Sequence, residues 1–423
     1  MSSPREATNA ELADWDRRTV QAPGGHVYQS RAWAEQRSRL GWRPLPVMLD
    51  DDHAAMVLLR PFPLVGDASA YVPRGPVVNP GEDASAAAAR VAGLAEWLAG
   101  RGVDVLATDA EVPAADAAYG GGLRAGGFHA IPEIQPSRHR VSLAIPAGAD
   151  DAAIRAGLSK STRQRINVAE GEGEGEGVVV TRYDTAGWDG DHPLFEPPVR
   201  PLDEVLGGFA TLLEGTGQRR GFRWGPRAVF LDWWAAAHAA GLLVYLEARA
   251  DADPSRALGG LILYRHGERL STVHSADAPG VRDTHPGVMH LLRWRAIQLA
   301  IREGRSEMDL GGVDVGPDHR EPAKGDPMAG LYEHKRSFGA TWVEMTGAHE
   351  RVMRPWRYAL GRVASRASRL TGRCRPTTGP PPRAPRPRGR WATSSRASPP
   401  RAGFAGPDST VGRWAAPPSP TSP

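Results

Sequence analysis

The clearest chemical signal in this sequence is a lysine that follows a strand broken by two glycines. The strand Glu307–Leu310 ends at Gly311 and Gly312, and a polar loop then leads to Lys335. Paired glycines let bare backbone approach whatever lies at the strand end, and a long polar loop between ordered elements is typical of a functional site. A lysine in this setting could stabilise the oxyanion that develops when an amine attacks an ester carbonyl. A lysine on an exposed loop is the alternative interpretation.

A second group of basic residues lies on a predicted helix in the middle of the chain. Lys160, Arg163 and Arg165 are close together there, and a basic helix face suits the phosphate backbone of a nucleic acid. A solvated helix face is the alternative interpretation. The stretch 170–177 alternates glutamate with glycine, so we expect a mobile loop there rather than a helix.

Two similar series of elements would position these side chains. Each is predicted to run from a β-hairpin through a helix to a strand that ends at an acid, Asp109 in the first series and Asp309 in the second. We interpret them as two copies of one α/β unit that meet along a cleft, where ligand sites usually form, although this order of elements could also recur by chance. The predicted segments are Leu45–Leu49, Met56–Arg60, Ala84–Ala99 and Val103–Ala107 in the first copy, and Leu243–Ala248, Leu258–Arg265, Val288–Arg302 and Met308–Leu310 in the second.

The net charge is divided unevenly along the 423 residues. Residues 373–423 contain nine Arg and one Asp, a charge of +8, so residues 1–372 carry −4, the difference between the total of +4 and this +8. From about Thr371 the chain is rich in Pro, Arg, Ser and Ala and lacks Lys, Glu, Leu and Ile, which predicts a disordered tail without a folded role. The basic character of the whole chain therefore does not describe its folded body.

A basic amphipathic helix is predicted just before this tail. Pro355–Leu370 places Trp356, Leu360, Val363 and Ala367 on one side at helical spacing and its arginines elsewhere. Such a helix could contact a nucleic acid or an anionic membrane surface.

The sequence lacks the motifs of several functional classes, among them secreted, membrane-spanning and zinc-dependent proteins. Cys374 is the only cysteine, so no disulfide can form within the chain. The first residues are acidic and polar, unlike a signal peptide, and the longest apolar runs fall far short of the roughly 20 residues of a spanning helix. No histidine pair has zincin spacing, and neither a G-x-S-x-G elbow nor a Walker loop occurs. We therefore expect a soluble, cytoplasmic protein without a metal site.

The segment around Lys335 resembles a known family signature. The letters LGGV, a Gly/Pro/Asp loop and then GLYEHKRSFGA are similar to the closing signature of the Fem family of peptidoglycan aminoacyltransferases, which includes FemA, FemB and FemX. That family transfers an amino acid from aminoacyl-tRNA to the stem peptide of a cell-wall precursor. The resemblance extends roughly from Gln29 to Leu370, and only the short stretch 223–241 stands where some members have a coiled-coil arm. The chain is therefore most similar to FemX.

The resemblance implies two arginines that bind the diphosphate of the precursor. The helix Gln29–Arg37 resembles an opening motif in which a basic residue four positions after Trp contacts the diphosphate; Arg37 holds that position, where lysine is common. Arginine also pairs well with phosphate, and a solvated surface arginine is the alternative. The segment Thr216–Phe222 resembles T-x-x-R-x-G-F, so Arg219 matches the phosphate-contacting arginine. Arg220 stands where an acid is usual, and either arginine could point inward.

The resemblance also implies the groups around the reaction. Asp109 matches a strand-end aspartate that would hold the attacking amine, because an ordinary aspartate, with a pKa near 4, is too acidic to deprotonate an amine efficiently. A turn or N-cap aspartate is the alternative. Lys335 would stabilise the oxyanion at the aminoacyl-tRNA end of the cleft, with Tyr332 and Phe338 binding substrate beside it. The residues implied to bind tRNA, on a segment similar to K-x-R-x-x-I, are Lys160, Arg163 and Arg165.

The fold implied by the resemblance is α/β (α+β), with two GNAT-like (acyl-CoA N-acyltransferase-like) domains flanking a cleft, no coiled-coil arm and a disordered C-terminal tail. The expected organisation is a flexible lead (1–24), domain 1 (25–148), domain 2 (149–330), a segment that returns to domain 1 (331–370) and the tail (371–423).

The implied function is transfer of an amino acid, glycine before alanine or serine, from aminoacyl-tRNA to the stem-peptide amine. The implied partners are aminoacyl-tRNA as co-substrate, with no other cofactor, and UDP-MurNAc-pentapeptide or lipid II as acceptor. We expect a monomer that can contact the inner face of the membrane. One alternative is a GNAT-type N-acetyltransferase that uses acyl-CoA, but its R/Q-x-x-G-x-G/A loop is absent before Ala84 and Val288. Another is a non-catalytic tRNA-binding or wall-assembly protein.

Overall fold

The structure is a computed structural model that describes most of the chain before residue 371. At positions 68, 220, 362 and 364–370 it describes the backbone only. Residues 172–176 of the predicted mobile loop (170–177) and the predicted disordered tail (371–423) lie outside the described residues. The described residues are 3–61, 68–135, 137–171, 177–186, 194–220, 224–253, 255–313, 315 and 319–370.

The helices begin where the local sequence favours it. Ser30 caps one helix, because its hydroxyl oxygen accepts a hydrogen bond from the Trp33 amide at 3.0 Å, and Asp83 caps another through the Ser85 amide. None of the helices in the described part of the chain is long and apolar enough to cross a bilayer. The helices are α1 (Asn9–Ala13), α2 (Arg31–Arg39), α3 (Ala84–Ala99), α4 (Ala117–Ala125), α5 (Asp151–Ala156), α6 (Lys160–Ala169), α7 (Leu202–Arg220), α8 (Arg227–Ala239), α9 (Val281–Thr284), α10 (Val288–Arg302), α11 (Ala329–Arg336) and α12 (Pro355–Leu370).

The strands form two separate sheets. They are β1 (Arg5–Glu6), β2 (Arg43–Met48), β3 (Ala54–Pro61), β4 (Ala68–Val72), β5 (Val105–Thr108), β6 (His129–Ala130), β7 (His139–Ala144), β8 (Val178–Tyr183), β9 (Leu243–Ala250), β10 (Ala257–His266), β11 (Arg269–Asp277), β12 (Glu307–Asp309), β13 (Thr341–Glu344) and β14 (His349–Val352). The first sheet has the order β1-β2-β3-β4-β5-β14-β6, and the second has the order β13-β7-β12-β11-β10-β9-β8.

The two sheets repeat one unit, as the sequence analysis predicts. In the first sheet β4 and β5 are parallel and lie on either side of α3 in the sequence. In the second sheet β11 and β12 are parallel and lie on either side of α10. Asp109 follows β5, and Asp309 ends β12. One strand of each unit, β4 in the first and β11 in the second, was not predicted. Both lie between the predicted hairpin and the helix.

The boundaries between the units differ from those expected. His139–Ala144 (β7) belongs to the second sheet, although the expected domain 1 (25–148) includes it. The segment 331–370 does not simply return to domain 1, because β13 pairs with β7 in the second sheet whereas β14 pairs with β5 and β6 in the first. The last two strands therefore complete one sheet each, and no local pattern in these short strands indicates which sheet each one joins.

The N-terminal residues are packed, unlike the flexible lead expected for 1–24. Among the described residues 3–24, Trp15 and Val20 are fully buried. The indole N–H of Trp15 donates a hydrogen bond to the Gln29 carbonyl at 2.8 Å. Burial of a large aromatic ring with its polar atom satisfied stabilises this stretch against the body.

One apolar cluster spans both units. It contains Trp15 and Trp33 from the first half of the chain and Trp233 and Tyr264 from the second. The rings of Trp33 and Trp233 meet edge to face with centroids 4.7 Å apart, and the Trp233 indole donates to the Tyr264 hydroxyl. The two units thus share core packing in addition to their separate cores.

Candidate active site

Lys335 is buried where α11 meets the end of β12. Lys335 is only 5 % exposed. The ammonium Nζ donates hydrogen bonds to the carbonyl oxygens of Gly311 at 2.7 Å and of Gly312 at 2.6 Å. The paired glycines therefore do bring bare backbone to a functional group, and the interpretation of Lys335 as an exposed loop lysine is wrong.

The surroundings of Lys335 lower its pKa. Burial is the main cause, the Arg293 guanidinium adds to it, and the Asp309 carboxylate opposes it, which leaves the pKa of Lys335 at about 7. Burial also raises the pKa of Asp309, against the attraction of nearby arginines. Near neutral pH the lysine is therefore poised between its charged and neutral forms, as groups in active sites commonly are.

Replacing Gly311 with alanine is expected to destabilise the protein and to displace Lys335. Gly311 has a φ of +78°, and a Cβ there would lie 2.7 Å from the Thr272 carbonyl oxygen and 3.5 Å from Lys335 Nζ. The left-handed backbone costs roughly 1–2 kcal/mol for a residue with a Cβ, and the collision adds to that cost. Gly81 is the matched control, because it has a φ of +79° with no neighbouring atom within 4 Å. Thermal unfolding should give a lower Tm for Gly311→Ala than for Gly81→Ala; equal values would contradict the expectation.

A buried ionic network joins the two units beside this site. Glu111, just after β5, pairs with Arg269 of β11 and, at 3.6 Å, with Arg140 of β7. Arg74 approaches the same carboxylate at 3.8 Å. Burial alone would raise the pKa of Glu111, but the surrounding cations hold it well below its ordinary value. Arg140 also pairs with Glu307 at 2.8 Å, so the network reaches the strand that ends at Asp309.

Asp109 is buried at the strand end of the first unit, and both of its carboxylate oxygens are engaged. One accepts a hydrogen bond from the Tyr71 hydroxyl at 2.9 Å, and the other accepts from the Arg74 backbone amide at 2.6 Å. Arg74 has a φ of +50°, which is uncommon for a residue with a side chain. Burial raises the pKa of Asp109, and Arg74 opposes the rise. Since both partners are distant in sequence, Asp109 is not a local turn or N-cap aspartate.

Arg37 is half-buried on α2, with its guanidinium carbon 3.7 Å from the centre of the Trp33 ring. Its Nε is buried and has no hydrogen-bond partner among the described residues. Burial lowers the pKa of Arg37, and electrostatic interaction with Tyr28, Tyr264 and Tyr71 opposes this. A partly buried guanidinium whose Nε has no partner in the described structure is suited to an anionic ligand, and its burial does not fit the solvated-surface interpretation.

Arg219 lies on the exposed side of α7 and already has an acidic partner. Its guanidinium donates to the Asp277 carbonyl at 3.0 Å and to the Asp277 carboxylate at 3.3 Å. A phosphate bound by Arg219 would have to compete with this carboxylate. The side chain of Arg220 is outside the described atoms, so the two arginines cannot be compared. Phosphate binding by Arg219 therefore stays a prediction.

Two residues expected to bind substrate are buried instead. Phe338 is 1 % exposed and Tyr332 is 3 % exposed, and both pack in the core of the second unit. The Tyr332 hydroxyl donates to Glu321. Residues 332 and 335 are three positions apart on α11 and therefore lie on the same side of it, and Phe338 follows the end of the helix and is buried as well. This corrects the prediction, because neither buried ring offers a surface to substrate in this structure.

The residues predicted to bind tRNA lie on α6 but do not form one face. Lys160 and Arg165 are exposed, and five helical positions correspond to about 140° of rotation. Arg163 is half-buried, and its guanidinium donates to the carbonyls of Ala156 at 3.1 Å and of Leu158. Arg163 therefore stabilises the turn before α6, while a role for all three residues with tRNA stays a prediction.

Four residues of this network were not predicted from the sequence: Arg74, Glu111, Arg140 and Arg269. One signal was present, since Asp109 and Glu111 alternate just after a strand, and alternate residues of an extended chain point to the same side. The three arginines carried no such signal, because arginine is spread over the whole sequence.

One cavity of the structure lies apart from the predicted site residues. A shallow cavity of about 620 Å³, lined in part by Arg17, His53 and Asn79, contains none of the predicted site residues. Within the described ranges, no group of three or more His, Cys, Asp or Glu side chains could hold a metal ion.

Comparisons with known proteins agree with this architecture at the level of fold. The model of the acetyltransferase (GNAT) domain matches residues 160–336. A crystal structure of FemX is similar with a TM-score of 0.66 and 19% identity, over 85% of this chain and 99% of that chain. L-PGS from Bacillus licheniformis is similar with a TM-score of 0.47 and 10% identity, over 88% of this chain and 99% of that chain. A tandem GNAT protein from the clavulanic acid biosynthesis pathway is similar with a TM-score of 0.42 and 14% identity, over 83% of this chain and 97% of that chain. No curated protein sequence matched the chain. The matches to the FemX structure and to the GNAT domain together show a FemX-like fold of two GNAT-like domains, as expected from the resemblance.

Proposed function

We propose that this chain is an acyltransferase that moves an aminoacyl group from aminoacyl-tRNA to the stem-peptide amine of a peptidoglycan precursor. The FemX-like fold and the GNAT domain support acyl transfer in general. The observation that carries the proposal is the buried Lys335 ammonium, which the carbonyls of Gly311 and Gly312 hold at the end of β12. A fixed cation shielded from water can stabilise the negative charge that forms on an attacked ester carbonyl.

The other site residues suit the remaining tasks of this reaction. The partly desolvated guanidinium of Arg37 is suited to the diphosphate of the acceptor. Asp109 is held rigidly by Tyr71 and Arg74, so its carboxylate can accept a further hydrogen bond from an amine and orient it. In this proposal Asp109 positions the amine, and groups of the substrates carry the protons.

The transferred amino acid and the acceptor are part of the proposal. Glycine is the first choice by resemblance, with alanine and serine next. The acceptor is UDP-MurNAc-pentapeptide or lipid II, and the protein would act as a cytoplasmic monomer with aminoacyl-tRNA as its co-substrate.

Two structural observations disfavour acyl-CoA as the donor. GNAT enzymes that use acyl-CoA bind its diphosphate at a helix N-terminus, which here would be that of α3 or α10. At α3 the Asp83 side chain already caps the Ser85 amide and adds a negative charge. At α10 the preceding Gly287 is covered by α6, because a Cβ on Gly287 would overlap the Arg165 carbonyl.

The function is tested by offering the purified protein a panel of donors and acceptors. The donors are tRNAs charged with glycine, alanine or serine, and acetyl-CoA; the acceptors are UDP-MurNAc-pentapeptide and lipid II with lysine or diaminopimelate. Mass spectrometry should detect one added aminoacyl residue on an acceptor. Acetylated product alone would favour the acyl-CoA enzyme, and absence of any product would favour a non-catalytic binding protein.

The pH dependence of turnover is expected to depend on Lys335. Below about pH 7 the logarithm of kcat should rise with pH as the acceptor amine loses its proton. Above its pKa of about 7, which is lowered mainly by burial, Lys335 loses the proton that stabilises the oxyanion, so the profile should level off. Lys335→Arg keeps its charge, since the pKa of arginine exceeds about 12, and its profile should continue to rise.

Single-turnover rates between roughly pH 6 and 8.5 measure this difference. Profiles of the same shape for the wild-type protein and Lys335→Arg would show that the protonation of Lys335 does not limit turnover.

A further inference from the structure

The last described helix, α12, has an apolar stripe that no other part of the described chain covers. Trp356 is 67 % exposed, Leu360 54 % and Val363 64 %. At about 100° per residue these three positions lie within about 60° of one another on the helix. Large apolar side chains are seldom exposed side by side on a protein without a partner.

Contacts on the opposite side of α12 fix the direction in which the stripe faces. The Tyr358 hydroxyl donates to Glu350 at 3.0 Å, and Arg357 pairs with the fully buried Asp104 at 3.4 Å. Gly361 is buried, and it lies about 140° from Trp356 around the helix. The side that includes Tyr358 and Gly361 therefore packs on the first unit, and the stripe faces away from it.

The charge pattern around the stripe is of one sign. Pro355–Leu370 contains four arginines and no acidic residue. By helical spacing, positions 362, 366 and 369 follow one another along one flank of the stripe. Residues 373–423 add a charge of +8 beyond the end of the helix.

From this combination we infer that α12 is an interfacial helix that binds an anionic lipid surface. The stripe of Trp356, Leu360 and Val363 would enter the boundary between headgroups and acyl chains, and the basic flank at positions 362, 366 and 369 would lie at the level of the anionic headgroups. A nucleic acid would use the arginines but gain little from the apolar stripe, and a second copy of this helix would bring like charges together. This inference does not depend on the transferase activity, although it would place the active site near a lipid-linked acceptor.

The test uses the full chain and sedimentation with lipid vesicles at physiological salt. One set of vesicles is phosphatidylcholine alone, and the other contains roughly one quarter phosphatidylglycerol. The variant is Trp356→Ser with Leu360→Ser, and the matched control is Val199→Ser, which removes an exposed valine (52 % exposed) elsewhere on the described surface. Trp356→Phe is a conservative variant, and unchanged Tm values confirm that the variants are folded.

The expected result is binding of the wild-type protein to the anionic vesicles and weak binding to phosphatidylcholine alone. The double variant should lose at least about fivefold in partition coefficient, because interfacial binding scales with buried apolar area, while Val199→Ser and Trp356→Phe should bind like wild type. Equal binding by the double variant would overturn the inference and assign any binding to charge alone. The inference would also be overturned if the double substitution instead reduced tRNA binding, or converted a dimer to a monomer, without affecting vesicles.

Discussion

Replacing Lys335 with alanine is expected to lower kcat at least tenfold, and roughly a hundredfold if its charge acts as oxyanion-hole donors do. The affinity for the acceptor should change little, because Lys335 contacts the carbonyls of Gly311 and Gly312 and is not part of the proposed diphosphate site at Arg37. A loss in kcat without a loss in acceptor binding is the sign of an interaction made mainly in the transition state.

The control for this prediction must separate chemistry from stability. Lys335→Ala removes the Lys335 donor from the Gly312 carbonyl, and an unsatisfied carbonyl costs roughly 1–3 kcal/mol where it is shielded from water. The Gly311 carbonyl still accepts from the Val141 amide at 3.4 Å, and the substitution also removes a buried charge. Lys324→Ala, at an exposed lysine, should leave both kcat and Tm unchanged. Rates are therefore compared well below the Tm of each variant. Turnover by folded Lys335→Ala equal to that of the wild-type protein would refute the proposed role.

Lysine is a rare residue in this chain, so its presence at the buried position 335 is notable. Only three of its 52 Lys and Arg residues are lysine, and Lys335 is the one that is buried. Lysine is a compact cation whose pKa shifts readily on burial, whereas arginine stays charged. The near-neutral pKa of Lys335 therefore depends on a residue type that this chain rarely uses.

Replacing Asp109 with asparagine is expected to reduce turnover by roughly tenfold to a hundredfold, a typical range for the loss of one positioned polar group at the reacting centre. Asparagine keeps the shape of the side chain. Its carbonyl can still accept from the Arg74 amide, and its amide can donate to the Tyr71 hydroxyl, so both observed contacts have a replacement. The variant therefore removes the charge that would hold an ammonium group without breaking the fold.

The kinetic measurement for Asp109→Asn is kcat/KM for the acceptor at fixed donor concentration. Asp116→Asn is a suitable control, because Asp116 is an exposed residue before α4 whose side chain makes no capping hydrogen bond. Normal activity of Asp109→Asn would show that Asp109 serves the structure of the strand end and not the reaction.

Apolar periodicity predicted the repeated unit but not the strands that carry its polar groups. The predicted helices at Ala84–Ala99, Val288–Arg302 and Pro355–Leu370 have the observed bounds. Within the repeated unit, the strands that were not predicted are β4, which is short and rich in alanine and serine, and β11, which mixes polar and apolar residues. These strands carry Tyr71 and Arg269, so the sequence showed the acids at the strand ends without the partners that hold them.

Burial is the second property that the sequence left open. Tyr332 and Lys335 lie on one side of α11, yet their spacing alone does not show whether that side faces the core. The same holds for Arg219, since the sequence gives no reason to expect that Asp277 would pair with it. Contacts between residues far apart in the chain decide both cases, and such contacts leave no local pattern.

The position of β14 between β5 and β6 has a consequence for biosynthesis. In the described structure β6 pairs with no strand except β14, and β13 forms the edge of the other sheet beside β7. Proteins commonly fold domain by domain from the N-terminus while the ribosome is still adding residues. Here the N-terminal half leaves the ribosome long before its own sheet can close, and it exposes unpaired strand edges during that time. The nascent chain must therefore remain soluble until residue 352 has emerged, so both units are completed within the same few residues of synthesis.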